Sequence, residues 1–150
     1  MSWPADLRRL GSLSCPEVAL LAEAIAWTGI MRTAVGRVPL GRITGWMGLA
    51  QGATPTTLAP SLLVQAESVG WAVQVAAARA PWQATCLVQA LAGVAMLRRR
   101  GIPGALNLGV ATDGLATPSV SAHAWLCCGD AVLTGGSALR RYRVITRFVG

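Results

Sequence analysis

Apolar positions recur at three- to four-residue intervals early in the chain, where Leu20, Leu21, Ala24, Trp27 and Met31 share one side of a helix. The run opens on SCPE at 14–17, which reads as a capping box with Ser14 as N-cap, Pro16 in the first turn and Glu17 reaching back to the unpaired amide. The spacing predicts a helix from there to about Arg32. Residues 33–60 are interrupted by Gly36, Pro39, Gly41, Gly45, Gly48, Gly52, Pro55 and Pro60, which predicts a loop with at most a short helical piece, ordered by a partner. A second long helix fits Ser61 to Ala80, with Ser61 as its cap and Pro81 as its break. A third begins after Thr85. Its residues 86–97, CLVQALAGVAML, are apolar nearly all round, the mark of a central buried helix. Arg98, Arg99 and Arg100 then place cations at the negative end of the dipole, and Gly101 and Pro103 stop it.

Beyond Pro103 the period shortens. Extended segments are predicted at 105–111, 121–127, 131–134 and 141–148, with a turn at 128–130. Helices first and strands second predict an α+β fold, with an antiparallel sheet packed on the Cys86 helix. At 150 residues the chain is expected to be one domain, residues 1–60 supplying a helix and a Gly/Pro-rich segment and 61–150 the core.

Composition adds a partner to this picture. Apolar residues make up 53% of the chain and charged ones 13%, against about 25% in a typical domain, so apolar surface is expected to meet another protein. A mean hydropathy of +0.51 raises the possibility of a membrane span. The apolar runs do not read as one: 81–97 carries Gln83 and Gln89 and leads into three arginines, and 18–31 contains Glu23 and falls short of the roughly 20 residues a span needs. MSWPAD at the start is not a signal peptide, so a cytoplasmic protein is expected. Thirteen arginines stand against six acids, for a net charge of +7. They are scattered, without the basic stripe interleaved with aromatics of a nucleic-acid surface, and suit an anionic peptide or protein better. Cys15, Cys86, Cys127 and Cys128 then read as reduced thiols, and with one histidine and no C-x-x-C spacing neither a metal nor another cofactor is expected.

Two residues carry candidate chemistry. Cys86 falls in the first turn of its helix, where backbone amides and the dipole favour negative charge and stabilise a thiolate. His123, the lone histidine, shares one strand face with Ser121, Trp125 and Cys127 and is the only base of its kind the thiol can draw on. The backbone amide of Cys86 is the expected oxyanion donor, with Gln83 as a weaker candidate. Trp82 and Trp125 read as packing, Trp125 also as a cleft wall. Cys127 and Cys128, on opposite strand faces, read as packing and an exposed thiol, and Arg98–Arg100 as a helix terminus.

Four blocks in order, PWQATCLVQALA at 81–92, LRRRGIP at 97–103, LNLGV at 106–110 and AHAW at 122–125, closely resemble the transglutaminase-like leader peptidases of lasso peptide biosynthesis. The likeness covers about residues 61–148. It implies a transglutaminase- or papain-like cysteine peptidase that removes the leader from a ribosomally made precursor, with Cys86 as nucleophile and His123 as base. It also implies a cyclase that uses the freed core and a leader-recognition domain. With no room for that domain before Ser14, a separate recognition protein is expected, docking on the apolar helices and residues 33–60. The family generally has an Asp after the His to fix the ring's tautomer. Asp130 is the nearby acid, yet a turn centred on 128–130 puts it at a hairpin tip and sets Thr134 to Gly136 opposite His123. Three arrangements stay open: the Thr134 hydroxyl or a backbone carbonyl near it, Asp113 from the preceding loop, or a Cys–His dyad. An inactive scaffold that presents the precursor to the cyclase and a transglutaminase-type acyl transferase are the rival readings.

Overall fold

The computed structural model describes residues 10–53, 57–111, 120–137 and 139–150. Four helices cover one face of an antiparallel sheet: α1 Cys15–Val35, α2 Leu40–Trp46, α3 Pro60–Arg79 and α4 Cys86–Arg99. The strands are β1 Ala50–Gln51, β2 Ala105–Ala111, β3 Ser121–Cys128, β4 Ala131–Thr134 and β5 Tyr142–Val149, in the spatial order β1-β5-β2-β3-β4. This is the α+β architecture expected from the sequence.

The helix termini follow local chemistry. At the start of α1 the Glu17 carboxylate accepts from the Ser14 amide at 2.9 Å and the Ser14 hydroxyl at 2.7 Å. The helix continues past Arg32 to Val35, with Gly36 as its C-cap residue donating its amide to the Ala34 carbonyl. Its 21 residues, with mean hydropathy 1.4 over their most apolar 18-residue stretch, are therefore long and apolar enough to cross a membrane by length and composition, which the shorter expected segment was not. One stripe of it, through Ala24, Thr28 and Met31, is buried against the other helices. α3 starts one residue earlier than expected. Pro60 occupies its first turn, so Ser61 lies inside the helix and Ala59 takes the cap position.

The described residues between 33 and 60 hold more regular structure than their glycines suggested. α2 is the short helical piece, and the chain then turns at Gly48, whose φ of +65° suits glycine. That turn delivers Ala50 and Gln51 to pair with Val149 and Phe148, an edge strand that two residues were too few to announce.

α4 is the central element. Val88 and every residue from Ala90 to Leu97 are buried, and its neighbours are α1, α3 and the sheet. Gly93 allows the approach to β3: a Cβ there would lie 2.5 Å from Cδ2 of Leu126. Arg100 ends the helix by donating to the Met96 carbonyl at 2.9 Å, and it also grips Glu23 of α1 through two hydrogen bonds of 3.1 and 2.6 Å. Arg99 adds an ion pair to the same carboxylate at 3.4 Å. Hydrogen bonding from Arg100, aided by the attraction of both guanidinium groups, holds the Glu23 carboxyl below its ordinary range. Two of the three arginines thus lock α1 to α4.

Candidate active site

Thr85 sets the start of α4: its hydroxyl accepts from the Val88 amide at 3.4 Å and its carbonyl from the Gln89 amide at 2.9 Å. The Gln89 side chain folds back to donate to the Ala84 carbonyl at 2.9 Å, fixing the chain that leads into the helix. Cys86 is the first helical residue and is half-buried. The first amides of a helix have no intrahelical partner, and with Val88 capped by Thr85 those of Cys86 and Leu87 are left for a ligand. Neighbouring backbone donors of this kind suit an oxyanion.

β3 positions the histidine. Its alternation sends Ala124, Leu126 and Cys128 into the helix-facing core and His123, Trp125 and Cys127 to the other face of the sheet. The β3–β4 hairpin turns at Gly129, with φ +57°, and Asp130 sits exposed at its tip. A bulge between Leu126 and Cys127 then shifts the register, so Cys127 faces Val132 and Thr134 faces Leu126. Past the end of β4, Gly135 brings its carbonyl to Nε2 of His123 at 2.8 Å. A carbonyl oxygen only accepts, so Nε2 carries the hydrogen and donates, and Nδ1 becomes the nitrogen able to take a proton.

Gly135 is fitted to this task. Its φ is +71°, and a Cβ would lie 2.7 Å from the Ala124 carbonyl and 3.2 Å from the ring nitrogen. The ring is bounded by Trp125, stacked with centroids 5.9 Å apart, and by Tyr142, tilted at 4.7 Å.

A cleft of about 660 Å³ at the β4 edge joins the two halves, lined by Cys86 and Gln89 from α4, Gln74 from α3, His123, Val132 and Leu133 from β4, and Gly135 to Ser137. No hydrogen bond links the Cys86 thiol to the ring among the described residues. Catalytic hydrogen bonds of this type are commonly long without substrate and tighten in the bound complex. No charged side chain lines the cleft among the described residues.

The remaining candidates fall as follows. Thr134, one of the possible third members, does not reach the ring; its hydroxyl is buried with no hydrogen-bond partner, because the bulge sets it against Leu126. Asp130 is carried away from the cleft by the hairpin, and Asp113 lies outside the described residues. Gln83 is exposed in the segment before the helix and does not line the cleft. Trp82 packs on α1, where a Cβ at Gly29 would lie 3.2 Å from its ring. Burial pushes the Cys127 and Cys128 thiols up, the Cys128 thiol donates to the Pro103 carbonyl at 3.2 Å, and neither cysteine lines the cleft. Neither is the exposed thiol expected: the exposed cysteine is Cys15. Gln74, whose Nε2 donates to the Leu133 carbonyl at 2.6 Å, is a cleft residue that the sequence did not single out. A glutamine inside an amphipathic helix carries no signal of its own.

A profile described as the transglutaminase-like superfamily matches residues 30–147. The chain belongs to the transglutaminase-like superfamily. Members are typically cysteine peptidases or acyl transferases, in keeping with a helix-borne thiol and a strand-borne imidazole on one cleft. No curated protein and no solved structure matches the chain.

Proposed function

We propose that this transglutaminase-like protein is a cysteine endopeptidase that removes the leader from a ribosomally synthesised lasso precursor peptide. The observation that carries the reading is that Cys86 and His123 line one cleft, with the Gly135 carbonyl accepting from the ring and fixing its tautomer. The four sequence blocks that resemble lasso leader peptidases narrow the substrate. In the proposed reaction His123 Nδ1 takes the Cys86 proton, and the thiolate attacks the carbonyl that joins leader to core. The amides of Cys86 and Leu87 hold the oxyanion. The imidazolium protonates the leaving amine, and the ring then activates water to hydrolyse the thioester.

The orienter is a neutral carbonyl in place of the carboxylate that this resemblance implies. A carbonyl fixes the tautomer and the ring plane as a carboxylate does, without its charge. The arrangement is a Cys–His dyad with a main-chain orienter. The proposed partners are the precursor, a separate leader-recognition protein and the lasso cyclase. Exposed apolar side chains at Val18, Ile25, Ile30 and Trp46, from α1 and α2, supply the kind of surface a protein partner covers.

The test is to incubate the protein with precursor and recognition partner and weigh the products. Free leader and free core support the peptidase. A new isopeptide supports acyl transfer, and an unchanged precursor supports a scaffold.

A further inference from the structure

A cleft without charged side chains among its described residues, with a neutral orienter, raises the question of what stabilises the protonated ring. In a thiolate–imidazolium pair the proton leaves the Cys86 sulfur and a new N–H bond forms at His123 Nδ1, so the imidazolium must be favoured over neutral imidazole. Among the described residues, the neighbours of His123 can be named. Gly109 of β2 pairs with it, Ser121 and Trp125 flank it on β3, and the Gly135 carbonyl holds Nε2. Tyr142 of β5 lies against it, with Arg141 and Arg143 next to Tyr142 in the chain and Arg140 just before. Cys86, Gln74 and Gln89 share its cleft. The charged neighbours in the chain are cations, and no described carboxylate lines the cleft.

What does face the ring is π density. A cation within about 6 Å of an aromatic centroid is attracted by the negative face of the ring. Tyr142 and Trp125 lie at 4.7 and 5.9 Å, at interplanar angles of 30° and 23°. The fold makes room for them at one position: Gly109 pairs with His123 on one side and Val144 on the other, leaving a lane across β2 with no side chain in it. A Cβ at Gly109 would lie 2.8 Å from the Trp125 indole and 2.9 Å from the Arg143 carbonyl. Rings from β3 and β5 meet His123 over that gap.

We propose that Tyr142, together with Trp125, is a positioning residue whose ring face stabilises protonated His123 and takes the part that a carboxylate plays in a Cys–His–Asp triad. This rests on the reading of Cys86 and His123 as a reactive pair. Its test needs no precursor, so it stands or falls separately from the choice of substrate.

The experiment measures iodoacetamide alkylation of Cys86 against pH, resolved by peptide mass in a Cys15→Ser background, since Cys15 is exposed. Tyr142→Phe keeps the face and alkylates within about twofold of the parent. Tyr142→Leu loses the face, slows Cys86 alkylation at neutral pH about fivefold and moves the rise of the profile to higher pH, because a less stabilised imidazolium gives less thiolate, as expected for a lost cation–π contact. Tyr142→Met serves as a second non-aromatic variant, and melting curves establish that the variants are folded. Parental rates and an unmoved profile in both non-aromatic variants would overturn the proposal. So would a phenylalanine variant as slow as leucine, which would assign the effect to the hydroxyl facing Ser121 at 3.4 Å. If His123→Ala alkylates at the parental rate, the reactive pair itself fails.

Discussion

Gly135 holds the histidine through its main chain, so the sensitive position is a glycine and not an acid. Gly135→Ala places a side chain at φ +71° and 2.7 Å from the Ala124 carbonyl. The backbone conformation alone costs roughly 1–2 kcal/mol, and relief of the clash swings the carbonyl away from Nε2. Cleavage is expected to fall at least about tenfold in kcat, the equivalent of about 1.4 kcal/mol, with a lower Tm in the same preparation. Asp130→Asn, at the exposed hairpin tip, is expected to leave kcat/KM within about twofold, whereas losing the orienter of a Ser–His–Asp triad costs about 10⁴. Steady-state kinetics on the two variants read both outcomes. Cys86 and His123 were visible in the sequence because a capped thiol at a helix start and a lone histidine leave few alternatives. A main-chain carbonyl near Thr134 was among the expected orienters, but the sequence did not single out Gly135, since one bulge between Leu126 and Cys127 decides which residue of the 134–136 run meets the ring.

The helices and strands were legible wherever one period dominated. The all-apolar run of α4 and the strands β2, β3 and β4 lie where their patterns put them, within a residue or so. Boundaries moved where a local group overruled the pattern: Pro60 started α3 ahead of Ser61, and α1 ran on to Gly36. β1 escaped notice because its two residues have no period and are held by β5 alone. Two contacts between elements are exposed to test. Gly70 of α3 packs on the β4 backbone, and a Cβ there would lie 2.9 Å from the Leu133 carbonyl. Gly70→Ala is expected to cost about 1–3 kcal/mol as overpacking, roughly 3–10 °C in Tm, and to disturb the neighbouring Gln74 bond to the same carbonyl. The Glu23–Arg100 bond joins α1 to α4. Because folding lowers the Glu23 value from its ordinary 4.5, the contribution is present above that pH and is lost as the pH falls below it toward the depressed value. Thermal melts of Glu23→Gln against the parent should differ at pH 7 and converge toward pH 3.

Across the whole molecule, four helices bring a thiol to one side of the cleft and an antiparallel sheet brings an imidazole to the other, with α3 and the segment after β4 closing its walls. This division explains why the family could be read from four short blocks: each supplies one part of the core, namely the α4 start, its end, β2 and β3. The apolar composition has a structural counterpart in the exposed side of α1 and in Trp46, 70% exposed on α2. The net charge of +7 has none inside the cleft, whose described lining is uncharged. The central claim is that Cys86 and His123 cleave a peptide bond. Its most direct measurement is precursor cleavage, followed by mass, for the parent, Cys86→Ala and His123→Ala in the presence of the recognition partner. The account predicts leader and core from the parent and intact precursor from both variants. Full cleavage by Cys86→Ala would contradict it.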